Sequence, residues 1–249
     1  MVFEEWQQWG KHPEDCEKHN ALRLSDELPE MESTKQLVNH ISEEYDAGMK
    51  VLDVGCNVGH YLKGLRRQFP KLNYTGVDAY DYYISQAKTS FQDDTSASFE
   101  IKDIFEPLFP EDPFDIVYCC NVLLHLPDFR VPVRNLLSST KKVCFIRALF
   151  ANYTNIVKSP VTDSYDDDGN PIDYWYLNTW NKNYFVEFVE KLGWKVEFID
   201  DEFEPVQIQK EFETVKNSDS DVATRIVDDF QIIEGVIANW VWAKITPNS

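Results

Sequence analysis

Short apolar segments alternate with amphipathic ones along most of this sequence, and this alternation constrains the fold more than any other feature. Segments such as Lys50–Val54 and Phe114–Cys120 are nearly continuous in apolar residues, which is typical of strands buried on both faces. The segments between them repeat apolar side chains at helical spacing, as Tyr61, Leu62 and Leu65 do. The pattern predicts an α/β fold, a doubly wound and mostly parallel sheet with helices on both faces.

The individual elements follow from the same pattern. Strands are predicted over 50–54, 74–77, 98–101, 114–120, 143–148 and 194–199, with a last strand or hairpin within 231–245. Helices are predicted over 33–45, 58–69, 82–90, 131–138 and 183–192. We therefore expect an N-terminal arm and helix over 1–47, which covers a site, and one main domain over 48–249. Within that domain, residues about 150–180 form a loop-like insertion rich in Asp, Tyr and Trp.

Length and charge narrow the classes of function. The chain has 249 residues, of which 43% are hydrophobic, enough for one sizeable domain with a full core. Lysine and arginine total 24 against 43 aspartate and glutamate residues, a net charge of −19. Because phosphate contacts dominate nucleic-acid affinity, this charge argues against a nucleic-acid partner. No apolar run is long enough to span a membrane, and the acidic N-terminus does not resemble a secretory signal.

The cysteines favour a reducing compartment. The chain has five, an odd number, without CxxC spacing, so neither a disulfide framework nor a zinc site is predicted, and we expect a cytoplasmic location. The acidic stretch 166–170 resembles a calcium loop only in part. Ser164 and Trp175, at the first and last ligand positions of such a loop, carry no carboxylate. No metal site is therefore predicted.

The most informative segment is VLDVGCNVGHYL, residues 51–62. A buried strand containing Asp53 ends here, a glycine turn follows, and a helix begins. Gly55 and Gly59 have no Cβ, so the backbone can turn tightly and lie close to a ligand. The free N–H groups at the start of the helix then face that ligand. Tight packing alone would also explain the glycines, so this turn is weak evidence by itself.

Two further acids strengthen the case for a ligand. Asp78 ends the second strand, 23 residues after Gly55, where dinucleotide-binding folds place the acid that holds the ribose. Asp103 follows the third strand. Because the carboxyl ends of parallel strands meet at one edge of the sheet, these acids predict a ligand site there. A dehydrogenase is disfavoured, since GCNVGHYLKG does not fit the Gly-x-Gly-x-x-Gly fingerprint.

The motif series resembles that of class I, Rossmann-like S-adenosylmethionine-dependent methyltransferases. VLDVGCNVGHYL resembles their first motif, an acid followed by Gly-x-Gly-x-Gly, with Asp53, Gly55 and Gly59 in place. Asn57 replaces the middle glycine, and Asn tolerates a positive φ better than most residues. The resemblance implies S-adenosylmethionine as cofactor and a seven-stranded sheet with a reversed final strand.

Roles for later residues are implied by the same resemblance. YTGVDAY matches the segment whose acid, here Asp78, holds the ribose hydroxyls. IKDIF matches the segment whose acid, here Asp103, meets the adenine amino group, with Ile104 beside the ring. FDIVYCCNVLLHLPD resembles the strand-four segment that lies near cofactor and acceptor, with His125 at the acceptor. The cofactor-binding residues implied are Asp53, Gly55, Cys56, Asn57, Gly59, Tyr61, Asp78, Ala79, Asp103, Ile104, Asn121 and Val122.

Several candidates have both a functional and a structural interpretation. His125 has a side chain suited to accepting a proton from an acceptor, but it would equally order the loop before Pro127. Tyr174 and Trp175 are predicted to line an acceptor pocket, and ordinary packing of the insertion is the alternative. Arg23 would pair with the methionyl carboxylate of the cofactor if the arm folds over it, and a surface salt bridge is the competing use.

The predicted function is transfer of a methyl group from S-adenosylmethionine to a small-molecule acceptor, at an oxygen or nitrogen nucleophile, by in-line displacement. Alignment of nucleophile, methyl group and sulfur supplies much of the rate in such a reaction. A macromolecular methyltransferase acting on protein or RNA, and a non-catalytic S-adenosylmethionine-binding protein, are the alternatives. An aminopropyltransferase-like activity rests on fold analogy alone. A monomer or homodimer is expected.

Overall fold

The computed structural model describes residues 4, 7–11, 14–162, 164–202, 224–227, 230–233 and 235–248. The helices are α1 (Gln8–Lys11), α2 (Glu14–Leu24), α3 (Glu32–Glu44), α4 (His60–Gln68), α5 (Asp81–Ser90), α6 (Arg130–Ser138) and α7 (Lys182–Lys191). The strands are β1 (Lys50–Val54), β2 (Asn73–Asp78), β3 (Ala97–Ile101), β4 (Phe114–Cys120), β5 (Thr140–Ala151), β6 (Lys158–Pro160), β7 (Tyr174–Tyr176), β8 (Trp180–Asn181), β9 (Trp194–Asp200), β10 (Thr224–Val227), β11 (Phe230–Ile233), β12 (Val236–Ile237) and β13 (Trp240–Pro247). No helix of the described ranges is both long and apolar enough to cross a membrane.

The main sheet has the order β3-β2-β1-β4-β5-β13-β9, with the two-residue β8 added beside β5. Strands β1 to β5 all run parallel to one another. Strand β13 runs antiparallel to both β5 and β9. This confirms the predicted seven-stranded, doubly wound sheet with a reversed final strand. The carboxyl ends of β1, β2, β3 and β4 therefore meet at one edge, which we call the C-terminal edge.

Each face of the sheet is covered by helices that bury one apolar stripe. One core joins the sheet to α6 and α7, through side chains such as Val133, Leu136 and Phe185. The other joins it to α3, α4 and α5, through side chains such as Leu37 and Leu62. The cysteines of β4 and β5 lie in these cores, as their apolar surroundings predict; they are Cys119, Cys120 and Cys144.

The insertion at 150–180 is more ordered than the predicted loop. Strand β5 continues to Ala151, and β6 and β7 form an antiparallel hairpin in which Lys158 pairs with Tyr176. Strands of three residues are too short to show an alternating pattern, so the prediction of a loop was wrong here. The stretch 231–245 contains both a hairpin, β11–β12, and the last strand β13. Trp175 of the first hairpin and Val236 of the second belong to one small apolar cluster.

The N-terminal arm lies across the C-terminal edge. The Tyr83 hydroxyl donates to the Trp9 carbonyl at 2.9 Å, and Gly10 lies so close to the Tyr80 ring that a Cβ would collide with it. The Trp9 ring lies 5.3 Å from the His125 ring, centroid to centroid. Lys11 forms an ion pair with Asp173 of the insertion. The arm thus joins the segments that follow β2 and β4. Trp6 and His12, also in the arm, lie outside the described residues.

Candidate functional site

The turn between β1 and α4 is built by three residues with positive φ: Gly55 at 78°, Asn57 at 50° and Gly59 at 80°. The N–H groups of Gly55 and Cys56 both donate to the Val77 carbonyl, at 2.8 and 3.0 Å. A Cβ on Gly55 would collide with Val122, which follows β4. Glycine is therefore required here, because the segment after β4 packs directly on the backbone of the turn.

Asp78 lies beside this turn at the end of β2. Its carboxylate accepts the Asn57 N–H at 3.0 Å and the Tyr80 N–H at 3.2 Å. Burial raises the pKa of Asp78 to about 6, although these backbone donors and that of Ala79 favour the charged form. The carboxylate is thus held in place by the backbone of the two turns that would surround a ligand at this edge.

Asp103 and Ile104 lie next along the edge, after β3. The Asp103 carboxylate accepts the Phe105 N–H at 2.9 Å, which orders the turn. It is also close enough to Asp78 for its charge to help raise the pKa of that acid. The Ile104 side chain is buried, and its carbonyl accepts from the Asn135 amide at 2.9 Å. The structure therefore brings these two predicted residues together with Asp78.

Asp53 is placed differently from the other acids. Its side chain is buried, and its Oδ2 accepts the hydroxyls of Tyr74 and Tyr118, at 2.8 and 2.9 Å. Burial raises the pKa of Asp53 to about 7, against the effect of these two hydrogen bonds. The carboxyl group thereby links β1 to its two neighbours in the sheet. A contact of Asp53 with cofactor stays a prediction.

Tyr61 and Asn121 face each other across the end of β4. The Asn121 amide Nδ2 donates to the Tyr61 hydroxyl at 3.4 Å, and the Ser33 hydroxyl lies 3.0 Å from the same oxygen. Asn121 has φ 61°, in the left-handed region. Its Oδ1 accepts from Nη1 of Arg147 at 2.6 Å. Sequence reasoning missed Arg147, although a single charge inside the apolar run VCFIRALF was a usable signal.

His125 is half-buried in a short 3-10 helix over Leu123–His125. Its Nδ1 lies 2.9 Å from the Tyr176 carbonyl, which can only accept, so Nδ1 carries the proton and Nε2 has its lone pair available. Burial lowers the pKa of His125, which favours this neutral form. The same contact orders the segment against β7, so the geometry suits both the catalytic and the structural interpretation.

Tyr174 and Trp175 point to opposite sides of the β6–β7 hairpin, as consecutive strand residues do. The Trp175 side chain packs with Leu124 and Leu149 in the small apolar cluster. The Tyr174 ring is contacted by the Lys158 ammonium, with Nζ 3.9 Å from the ring centroid. Both side chains are partly buried. Packing therefore accounts for much of Trp175, and the two residues do not form one wall.

Helix α2 packs against α4 and brings together His19, Asn20, Arg23 and His60, which we call the basic group. Burial, and then the charge of Arg23, lowers the pKa of His19 to about 4 and that of His60 to about 3. Burial also lowers the pKa of Arg23 to about 10. The buried Asn20 Nδ2 and His60 Nδ1 atoms have no hydrogen-bond partner in the described part of the chain. The Asn20 amide thus offers an anion a donor that its surroundings leave unsatisfied, and His60 Nδ1, on a neutral ring, donates in one of its two tautomers.

The acidic stretch at 166–170 closes on itself. The Asp166 carboxylate accepts the N–H groups of Asp168 and Asn170, at 3.0 and 2.7 Å, as expected of an acidic turn. Within the residues that the structure describes, no three His, Cys, Asp or Glu side chains are grouped to hold a metal ion.

Comparison with known proteins adds the deciding observation. Residues 27–196 match the sequence profile of a family described as a methyltransferase domain. This chain belongs to that methyltransferase family. The profile covers more than half of the chain. The glycine turn, Asp78 and the C-terminal edge fit S-adenosylmethionine, the cofactor that the sequence predicts, because they combine a backbone without Cβ atoms with a carboxylate able to accept hydroxyl hydrogens.

Individual relatives are more distant. The methyltransferase is 31% identical over 128 residues to sterol 24-C-methyltransferase erg6 of Aspergillus fumigatus, covering 50% of this chain and 31% of that one. It is 31% identical over 94 residues to 2-methyl-6-phytyl-1,4-hydroquinone methyltransferase of Synechocystis, covering 38% and 29%. The chain thus spans less than a third of each relative. Magnesium protoporphyrin IX methyltransferase of Synechocystis, solved with bound SAH, has a TM-score of 0.52 at 12% identity, covering 87% and 82%, which supports the fold.

Buried Asp53 makes the stability of the methyltransferase depend on pH. Its pKa is about 7 in the folded chain and near the ordinary value of about 4 in the unfolded one. The folded state therefore holds the proton more tightly, and this contribution to stability is lost as the pH rises through 7. Asp53→Asn keeps an acceptor oxygen without a charge. We expect it to raise the melting temperature relative to the unchanged protein by roughly 3 °C or more at pH 8, and by less at pH 5.

Thermal unfolding at both pH values measures this effect. Asp112→Asn, which alters an exposed carboxylate paired with Lys50, is the matched control and should show no such change with pH. An Asp53→Asn difference that is equal at pH 5 and pH 8 would contradict the assignment of a raised pKa to Asp53.

Proposed function

We propose that the methyltransferase acts on a small-molecule acceptor through an oxygen or nitrogen nucleophile. The observation that carries this proposal is the cover over the C-terminal edge. Trp9 lies on His125, and Lys11 ties the arm to Asp173 of the insertion. A site enclosed by two such segments suits a compact acceptor, since it excludes water around the reacting atoms. The names of the two relatives, a sterol 24-C-methyltransferase and a hydroquinone methyltransferase, agree with a small-molecule acceptor and do not bear on the choice of nucleophile.

The cofactor would be held from three sides. Asp78 accepts the ribose hydroxyls, Asp103 and Ile104 meet the adenine, and the backbone of the glycine turn lies along the middle of the molecule. Arg23 and the unpartnered Asn20 amide receive the methionyl carboxylate. The guanidinium of Arg23 suits a carboxylate, because charge-assisted hydrogen bonds strengthen when water is excluded. In this assignment the arm contributes to binding as well as to cover.

The protein's own part in the reaction is alignment and, at one atom, proton acceptance. S-adenosylmethionine supplies a methyl group already activated by its sulfonium charge. The hairpin and arm hold the acceptor in line, which converts a bimolecular encounter into a positioned one. His125 Nε2, whose lone pair is left available by the Nδ1 contact to Tyr176, takes the proton from an acceptor hydroxyl or amine.

Asp78→Ala should weaken S-adenosylhomocysteine binding by about 1.5–3 kcal/mol, because a charge-assisted hydrogen bond to the ribose is lost. Binding to the unchanged protein should also weaken as the pH falls from 7.5 to 5, since Asp78 takes up a proton near pH 6. The pKa values of His19 and His60, about 4 and 3, lie below this range, whereas that of Asp53, about 7, lies within it, so Asp53→Asn is compared at the same pH values. Calorimetry at both pH values, with Asp112→Ala as control, measures both effects. An unchanged dissociation constant, or tight NAD binding without S-adenosylhomocysteine binding, would refute the assignment.

Arg23→Gln should distinguish ligands with and without the amino-acid end. We expect about tenfold weaker S-adenosylhomocysteine binding, from loss of a charge-assisted bond to the carboxylate. Binding of 5′-methylthioadenosine, which lacks that carboxylate, should change by less than about twofold. Arg67→Gln is the control. Arg67 lies on α4, as His60 does, and forms an exposed ion pair with Glu30. Equal losses for both ligands would show that Arg23 supports the arm rather than the carboxylate.

The insertion should determine how well the acceptor is bound and methylated, without changing the affinity for the cofactor. Incubation with tritiated S-adenosylmethionine and pools of sterols, quinols and amino alcohols should label at least one pool. Tyr174→Ala should lower that labelling about tenfold while S-adenosylhomocysteine affinity stays within about threefold. Trp175→Ala should also lower the melting temperature, because its side chain packs on Leu124 and Leu149. Tyr153→Ala, at an exposed position of the same insertion, is the control. Labelling confined to added protein or RNA would contradict the proposal.

A further inference from the structure

The guanidinium of Arg147, a residue of β5, is buried, and all three of its nitrogens donate hydrogen bonds within the protein. Its side chain is only 7% exposed and that of Asp201 only 3%. Nε and Nη2 donate to the two carboxylate oxygens of Asp201, at 2.7 and 3.0 Å. The guanidinium carbon lies 4.1 Å from the centroid of the Trp240 ring. The pair is therefore a bidentate one with a flat aromatic surface beneath it, a geometry that lysine cannot reproduce.

The remaining nitrogen of Arg147 reaches the cofactor edge. Nη1 donates to Oδ1 of Asn121 at 2.6 Å, and the Asn121 N–H donates to the Arg147 carbonyl at 2.9 Å. The same arginine thus holds the side chain and the main chain of one residue. That residue has φ 61°, in the left-handed region, which Asn tolerates better than most residues.

This contact decides which way the Asn121 amide points. A guanidinium can only donate, so Oδ1 must face Arg147 and Nδ2 must face away from it. Nδ2 has two hydrogens, of which one is directed at the Tyr61 hydroxyl, 3.4 Å away. The next residue, Val122, packs on Gly55 of the cofactor turn. A change in the Arg147 contact would therefore move both a donor and the wall of the turn.

We propose that Arg147, held by Asp201, is a positioning residue for the cofactor site, and that it acts through Asn121. The proposal rests on the proposed cofactor site at the C-terminal edge. It assigns a role to a charge that lies within an otherwise apolar strand, 26 residues from Asn121 and 54 from Asp201 in sequence. Asp201 directly follows β9, so the pair also ties the far side of the sheet to the cofactor edge.

A double-mutant cycle tests this directly, with S-adenosylhomocysteine as the probe. Asn121→Ser should weaken binding about tenfold. The paired change Arg147→Met with Asp201→Leu should weaken it by a similar factor. Removing both charges together leaves neither one unpaired, so the protein should still fold. Combining all three changes should weaken binding no further than Asn121→Ser alone, because Arg147 has no other route to the cofactor.

The control pair is Arg66→Met with Asp94→Leu. Arg66 and Asp94 form a second two-pronged ion pair, at 2.5 and 3.1 Å, between the end of α4 and the segment before β3. This change should leave S-adenosylhomocysteine binding within about twofold even where it lowers the melting temperature. Arg147→Lys should weaken binding, since one ammonium cannot hold both Asp201 and Asn121.

The outcomes distinguish a failure of the positioning role of Arg147 from a failure of the proposed cofactor site. If the unchanged protein does not bind S-adenosylhomocysteine, the proposed site is wrong and the positioning role falls with it. If it binds, the triple variant decides the route. Should its affinity fall by the product of the factors measured for Asn121→Ser and for the Arg147→Met, Asp201→Leu pair, Arg147 does not act through Asn121. Binding that is unchanged in the Arg147→Met, Asp201→Leu variant would also overturn the positioning role.

Discussion

Two N–H groups that share one carbonyl hold the C-terminal edge of this protein together. Gly55 and Cys56 both donate to Val77, so the end of β1 is fixed against the end of β2. Because the chain must turn there with positive φ, glycine provides the conformation and also the space that Val122 fills. Asp78 then lies within hydrogen-bond distance of Asn57 as a consequence of this turn. The position of each later group at the edge depends on that junction.

Charge is distributed unevenly around the edge. A chain with net charge −19 nevertheless places the Arg23 guanidinium beside His19 and His60, whose lowered pKa values leave both rings neutral at pH 7. At the end of β2, burial raises the pKa of Asp78 to about 6. A zwitterionic ligand with a carboxylate at one end and hydroxyls farther along matches this division, because each end meets the partner that its hydrogen bonds require.

The cover over the site is formed by parts of the chain far apart in sequence. The arm is anchored at Tyr83 and at Asp173, and the hairpin is anchored through His125 and the small apolar cluster. These anchors are a few hydrogen bonds, one ion pair and a modest apolar contact, whereas the sheet below is fixed by two large cores. In the proposed function, the rigid part of the molecule would place the cofactor, and the covering segments would shape the space for the acceptor.

Local patterns were sufficient to predict the sheet, its helices and the residues of the glycine turn. Continuous apolar runs identified β1 and β4 to the residue, and the spacing of Gly55, Asp78 and Asp103 indicated the edge at which they meet. Those signals are local because buried strands and tight turns each impose a pattern on neighbouring residues.

Contacts between distant segments needed the tertiary structure. The β6–β7 hairpin is too short for periodicity to reveal, and Tyr174 and Trp175 point to opposite sides of it because they are consecutive residues of a strand. The meeting of Arg147 with Asn121 and Asp201, and of α2 with His60, depends on strand order and helix docking. Sequence spacing does not encode which distant side chains share a face, because that follows from how the whole core closes.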